Sequence, residues 1–164
     1  MQVALGIKHA TREWLWVLHA DSLVHDENVE NIDAVTTISQ VWWGRFDVSL
    51  DGSRWEFRMI ETLMNLRSRL TSICTGDQGM FFHRDILKEI GGFPDQPLME
   101  DVEVSKRLRQ VAKPFCSKSR LGTSIRKWEA DGVFRTMFRM WIFRIRYYFG
   151  VSPDALYSEY YRHR

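Results

Sequence analysis

The sequence has few cysteines and no cysteine pattern typical of a metal site or a disulfide framework. Its two cysteines, Cys74 and Cys116, are far apart and form no CxxC pair. The five histidines are scattered, and none of them pairs with a cysteine at zinc-site spacing. We therefore expect two reduced thiols in a cytoplasmic protein, whose stability comes from an ordinary hydrophobic core.

The chain also lacks a long apolar run and a large net charge. No stretch is apolar enough to span a bilayer, and the first residues do not resemble a secretory leader. The formal net charge of +2 gives no general case for nucleic-acid binding. The charge is unevenly distributed, because residues 120–164 hold nine basic and four acidic residues, whereas residues 1–119 hold fourteen and seventeen. An acidic body with a basic tail can indicate a metal site followed by an anion or membrane contact.

What is present is typical of one α/β domain. The chain has 164 residues, 45% of them hydrophobic, which suffices for a core. Segments with strand and helix patterns alternate along it, and this alternation predicts an α/β fold. The continuous apolar run at residues 14–18 predicts a strand buried on both faces of a parallel sheet. Further strands are predicted at residues 40–50 and 113–117, and helices at residues 3–11, 27–38, 55–70, 85–90, 100–111, 133–149 and from Pro153 onward.

The first candidate site follows the apolar run. His19 and Asp21 come directly after it, at the carboxyl end of the predicted strand, where open α/β sheets bind ligands. One carboxylate together with two diphosphate oxygens would suit Mg²⁺ or Mn²⁺, which makes Asp21 a candidate metal ligand. The alternative is that Asp21 caps a turn and His19 is its polar neighbour.

The second candidate site is the acidic pair Glu100 and Asp101 at the start of a predicted helix. A carboxylate crowded by a second carboxylate has a raised proton affinity and can act as a general base. The alternative is ordinary capping, because acidic residues are favoured in the first turn of any helix.

Two further segments carry polar residues suited to a sugar nucleotide. Asp77 and Gln78 lie between two glycines and could bind a hydroxyl, although the segment could equally be a plain turn. Arg126 could bind a diphosphate and Trp128 could present a flat face to a sugar. The alternative for this pair is a solvated basic loop with a tryptophan in the core.

The order of these motifs resembles glycosyltransferase family 2, the inverting enzymes of the GT-A fold. The matching strings are WLWVLHADS, GDQGMFFHRDILKEIGGFPDQPLMEDVEVSKRLR and TSIRKWEADGVFRTMFRMW. They are most similar to the subgroup associated with radical SAM/selenodomain genes or arsenosugar biosynthesis, and they cover about residues 2–150.

The resemblance implies a role for each candidate residue. Asp21 would be the ligand of a Mg²⁺ or Mn²⁺ ion, with His19 where many members have the first aspartate of a DxD motif. Asp101 would be the catalytic base, with Glu100 beside it. Asp77, Gln78, Arg126 and Trp128 would bind substrate. The implied reaction is transfer of a hexosyl group from a nucleoside diphosphate sugar to an acceptor hydroxyl.

The resemblance also implies an incomplete fold. Family members begin with βα units that bind the nucleotide base, and nothing in this sequence matches those units. Residues 1–130 would then be the C-terminal part of a catalytic domain, and residues 131–164 a basic aromatic helical tail. We expect an open sheet edge, which would favour poor stability, inactivity or self-association into a homo-oligomer.

The helical tail has two interpretations. Arg135, Arg139 and Arg146 are predicted on one side of a helix and aromatic residues on another, with Arg144 apart from both. Such a helix could lie on the inner face of a membrane and present the enzyme to a lipid-linked acceptor. It could instead pack on the domain with its arginines turned outward.

Three other functions remain open on the sequence alone. The chain could be a non-catalytic remnant that serves as a binding or interaction module. It could also be a membrane-surface protein that acts through its helical tail. A glycoside hydrolase with paired carboxylates is a further alternative.

Overall fold

The computed structural model describes residues 2–38 and 40–162, without the side chain of Lys127. In this part of the chain, helices flank a mixed five-stranded open sheet, so the predicted α/β class is confirmed. The strands are β1 (Trp14–Trp16), β2 (Ser22–Leu23), β3 (Trp43–Leu50), β4 (Phe81–His83) and β5 (Phe115–Thr123). The helices are α1 (Gln2–His9), α2 (Asp26–Thr36), α3 (Trp55–Thr71), α4 (Arg84–Glu89), α5 (Glu100–Val111), α6 (Arg126–Asp131), α7 (Val133–Tyr148) and α8 (Pro153–Arg162). A short 3₁₀ turn spans Gly76–Gln78.

The sheet has the strand order β1-β4-β3-β5-β2. Strands β3 and β5 pair in parallel, and the other three pairings are antiparallel. Since β4 runs against both β1 and β3, strand β1 points in the same direction as β3 and β5. The carboxyl ends of β1, β3 and β5 therefore lie at one edge of the sheet, and the chain enters β4 from that same edge.

The expectation for residues 14–18 was wrong about the neighbours of the strand. Within the described residues β1 is an edge strand, and it pairs antiparallel with β4 instead of lying inside a parallel sheet. Leu15 packs with the helices on one face, while Trp14 and Trp16 pack on the aromatic cluster of the other face. Both faces of β1 are covered, which explains why Trp14, Leu15 and Trp16 are all apolar although β1 pairs only with the antiparallel β4 among the described strands, whereas Leu18 is 38% exposed.

Two clusters of buried side chains sandwich the sheet. On one face, residues of β1, β3 and β4 pack against α4 and α5 through Ile86, Val104 and Leu108. On the other face, Val35 of α2 packs against Phe46 and other sheet residues. These two clusters fix the position of the sheet, and the candidate residues lie at the carboxyl ends of its strands β1, β3 and β5.

The last two helices pack on the body of the domain. Val133 and Met137 of α7 share a cluster with β3 and α3, and Phe143 shares another with α5 and α8. Arg139 donates a hydrogen bond to the Tyr160 carbonyl at 2.6 Å, and Arg146 forms an ion pair with Glu159 at 2.7 Å.

This packing corrects one expectation about the helical tail. Two of the three arginines predicted to form an outward basic face are used to hold α8. The residues left exposed on α7 are mostly apolar, namely Phe134, Phe138, Trp141, Ile142, Ile145 and Tyr148. None of the described helices combines the length and apolar character needed to cross a membrane.

Candidate functional site

A cavity of about 330 Å³ lies at the sheet edge where β1, β3 and β5 end. It receives residues from segments that are far apart in the chain: the loop after β1, the 3₁₀ turn before β4, the start of α5, the loop after β5, and helices α6 to α8. Six of the eight residues predicted as site residues line it, namely His19, Asp21, Asp77, Glu100, Asp101 and Trp128. The strand directions account for part of this convergence, because β1 and β5 end and β4 begins at this edge of the sheet.

The Asp101 carboxylate joins two of these segments. One oxygen accepts a hydrogen bond from the Gly76 backbone N–H at 3.0 Å, and the other accepts from the Val102 N–H at 2.7 Å. The hydroxyl of Ser105 donates to the Asp101 carbonyl at 2.7 Å and accepts from the Cys74 N–H at 3.0 Å. The start of α5 and the glycine-flanked turn are therefore held together around the cavity.

Met99, directly before this acidic pair, has an unusual backbone conformation. Its φ of 62° is left-handed, which is uncommon for a residue other than glycine. The Met99 side chain is almost fully buried beside Phe143 and Leu156, and this packing can offset a strain of about 1 kcal/mol. Strain of this kind next to a cavity is common at functional sites.

The carboxylates make the cavity acidic. Burial, and then the neighbouring Asp101, raises the pKa of Glu100 above its ordinary value. Burial also raises the pKa of Asp77, although His19 opposes that effect. Both shifts come mainly from burial, which disfavours the charged form of a carboxyl group.

His19 lies directly over the glycine of the turn. A Cβ atom added at Gly76 would be 1.9 Å from Nε2 of His19, so the imidazole occupies the space that a side chain would need. Nδ1 of His19 is 3.6 Å from Asp77 Oδ1. The glycine is thus required for close approach of the loop after β1 to the turn before β4.

Two predicted residues do not reach the cavity. Gln78 is fully buried and donates to Ser68 Oγ at 2.9 Å, while its own oxygen accepts from the Thr75 N–H. The Gln78 side chain therefore points toward α3 and holds the turn in place, and it is not among the residues that line the cavity. Arg126 is exposed at the first residue of α6 and is not among the residues that line the cavity.

Two other arginines were not predicted as site residues. Arg144 of α7 lines the cavity, and its buried Nε atom has no hydrogen-bond partner among the described residues. Burial lowers the pKa of Arg144, while Asp101 and Asp77 oppose that shift. Arg67 of α3 has two such unpartnered nitrogens, and burial and the nearby Arg144 lower its pKa to about 10. For Arg144, the sequence held one indication of a separate role, because helical spacing places it apart from the other arginines of α7. For Arg67, the sequence analysis found no such indication.

Within residues 2–38 and 40–162, no three His, Cys, Asp or Glu side chains converge as a metal-binding group. Asp21 is exposed at the cavity, and no described residue is a hydrogen-bond or ion-pair partner of its carboxylate. A hard cation bound there would need most of its ligands from a substrate or from water, and a diphosphate can supply such oxygens.

Comparison of the chain with models of protein families, with curated protein sequences and with solved structures finds no match.

Proposed function

We propose that the chain carries the acceptor and catalytic half of an inverting glycosyltransferase of the GT-A type. The observation that supports this most is the convergence of His19, Asp21, Asp77 and the Glu100–Asp101 pair in one cavity. These residues are separated by up to 82 positions in the sequence, and the resemblance assigned them to a single site. A capping role alone would explain each residue separately but not their meeting at one ligand-sized space.

The reaction would proceed by direct displacement at the anomeric carbon. The acceptor hydroxyl gives its proton to a carboxylate of the acidic pair, and its oxygen forms a bond to the anomeric carbon. The bond from that carbon to the diphosphate oxygen breaks on the opposite face, and the nucleoside diphosphate leaves with the electron pair. This sequence inverts the configuration at the anomeric carbon.

Both members of the acidic pair are suited to the proton transfer, for different reasons. Asp101 is held in place by two backbone hydrogen bonds, one to each carboxylate oxygen, and each oxygen has a second lone pair that can accept a proton. Glu100 has a raised pKa, which brings a general base closer to neutral pH. We assign the base role to Asp101, with Glu100 as the alternative.

The donor would lie on the Asp21 side of the cavity. Asp21 and the phosphate oxygens of the donor would hold Mg²⁺ or Mn²⁺, which supplies neutralisation of the charge that develops on the leaving diphosphate. Trp128 lines the cavity and can stack on the sugar ring.

Calorimetric titration with UDP and with GDP, each with and without Mn²⁺, tests this function. We expect metal-dependent binding of at least one nucleotide, and its loss in Asp21→Ala. Asp33→Ala, at an exposed aspartate of α2, is the matched control and should bind as the wild type does. If the folded chain binds neither nucleotide with the metal, the transferase function is wrong for this chain and a non-catalytic binding module takes its place.

A further inference from the structure

A second cavity, of about 210 Å³, adjoins the first. It lies between α3 and α7, and it shares Asp77, Trp128, Met140 and Arg144 with the candidate active site. The rest of its wall is mostly apolar, formed by Ile60, Leu63, Met64, Met137 and Trp141. A ligand in this cavity would therefore have its apolar part between the helices and its other end toward the first cavity, near Asp77 and Arg144.

Two cationic side chains stand in this apolar wall. Arg67 and Arg144 both line the second cavity, and three of their nitrogens, Nε and Nη2 of Arg67 and Nε of Arg144, are buried without a described hydrogen-bond partner. Such donors are normally satisfied, because an unpaired buried donor is costly. Burial also lowers the pKa of both groups, although Asp101 opposes this shift at both and Asp77 opposes it at Arg144. An anion between the two guanidinium groups would satisfy the donors and the charge together.

The mouth of the second cavity opens on an apolar surface. Leu63 and Trp141 line the cavity and are also 40% and 43% exposed. Phe138, which packs edge-on against Trp141, extends this surface along α7. A small hydrophilic acceptor would need no such approach, whereas a molecule with an apolar chain would be stabilised along it.

We propose that the second cavity is the acceptor site and that its acceptor is an amphiphile, with an apolar chain and a phosphate-type anionic group bound by Arg67 and Arg144. The acceptor role rests on the proposed glycosyl transfer. A phosphate group fits better than a single neutral polar group, because it offers several acceptor oxygens to the fork-shaped donors of two arginines. Asp77 and Arg144 belong to the walls of both cavities. An acceptor hydroxyl close to the bound anionic group would therefore lie in the first cavity.

The test is direct binding of octyl phosphate, below its micellar concentration and without metal or nucleotide, measured by calorimetry and tryptophan fluorescence. Octanol and inorganic phosphate serve as ligands that each lack one half of the proposed chemistry. We expect octyl phosphate to bind at least about tenfold more tightly than either of them, since both the apolar wall and the charge-assisted hydrogen bonds contribute. This comparison uses the wild-type chain, so it does not depend on the folding of any variant.

Variants then locate the site. Arg67→Gln and Arg144→Gln should each weaken octyl phosphate binding about tenfold or more, while Arg135→Gln, at an exposed arginine of α7, should leave it unchanged. Equal binding of octanol and octyl phosphate would overturn the inference, because it would indicate simple apolar adsorption. Equal losses in Arg135→Gln and Arg144→Gln would also overturn it, because they would indicate unspecific attraction to a basic helix.

The outcome is separable from the test of the proposed function. Octyl phosphate binding needs neither Mn²⁺ nor a nucleotide, whereas the donor test needs both. Selective octyl phosphate binding without nucleotide binding would retain the amphiphile site and remove its role as an acceptor site.

Discussion

Replacing Asp101 by alanine should destabilise the fold, whatever the residue does in catalysis. The substitution removes the acceptor of two backbone N–H groups, those of the buried residues Gly76 and Val102. A buried donor left without its partner costs about 1–3 kcal/mol, so for two donors we expect a loss of about 2–6 kcal/mol in the free energy of unfolding. A negative charge in the first turn of α5 is lost as well, which adds about 0.3–1 kcal/mol.

The matched substitution is Glu100→Ala. Glu100 lies beside Asp101 in the same helical turn, but the hydrogen bond that its carboxylate accepts comes from its own backbone N–H and not from another segment. Burial and the adjacent Asp101 disfavour its charge, so its removal should leave stability unchanged or slightly increased. Asp101→Asn should fall between the two, because the amide keeps one acceptor oxygen and turns an N–H₂ toward the other donor.

Urea unfolding followed by tryptophan fluorescence and circular dichroism measures these differences. If Asp101→Ala unfolds within about 0.5 kcal/mol of the wild type, with an unchanged denaturant slope, the two hydrogen bonds do not hold the turn to α5 and the reasoning is refuted. If the expected loss is found, inactivity of Asp101→Ala cannot identify a base. The catalytic comparison then requires Asp101→Asn and Glu100→Gln under conditions in which both variants are folded.

Three further predictions concern the turn and its surroundings. Gly76→Ala should displace the His19 ring and weaken metal-dependent nucleotide binding several-fold. Thermal stability should change little, because the His19 side chain is 45% exposed and can move outward. A stability loss above about 2 kcal/mol would contradict this prediction. Gln78→Ala should cost about 2–4 kcal/mol in urea unfolding, because its partners inside the fold are left unpaired. Burial raises the pKa of Cys74 to about 12, so the folded state holds this proton more tightly than the unfolded state does, and stability is lost as pH rises above the ordinary thiol range. Between pH 8 and pH 10 the wild type should therefore lose about 1 kcal/mol more than Cys74→Ala.

Local pattern was sufficient for most helices and strands. The acidic first turn and the apolar spacing predicted α5 at residues 100–111, and Pro153 begins α8 as expected. The periodicity of apolar residues indicates which face of a helix or strand is buried. This pattern involves only residues that are close together in the sequence, so it can be read without knowledge of the fold. The segments that local signals describe poorly were missed or shortened, since α6, β2 and β4 were not predicted and β5 extends to Thr123.

The sequence alone determined the α/β class, through the alternation of its strand and helix patterns. Through the order of its motifs, it also indicated which acidic residues belong to one candidate site. Only the tertiary structure decided that β1 pairs antiparallel with β4, and that Gln78 points into the domain while Asp77 lines the cavity. It also decided that Arg67 and Arg144, from helices distant in sequence, stand together in an apolar wall. Strand pairing and side-chain convergence depend on contacts between remote segments, and no local pattern of charge or hydrophobicity encodes which remote segment will be the partner.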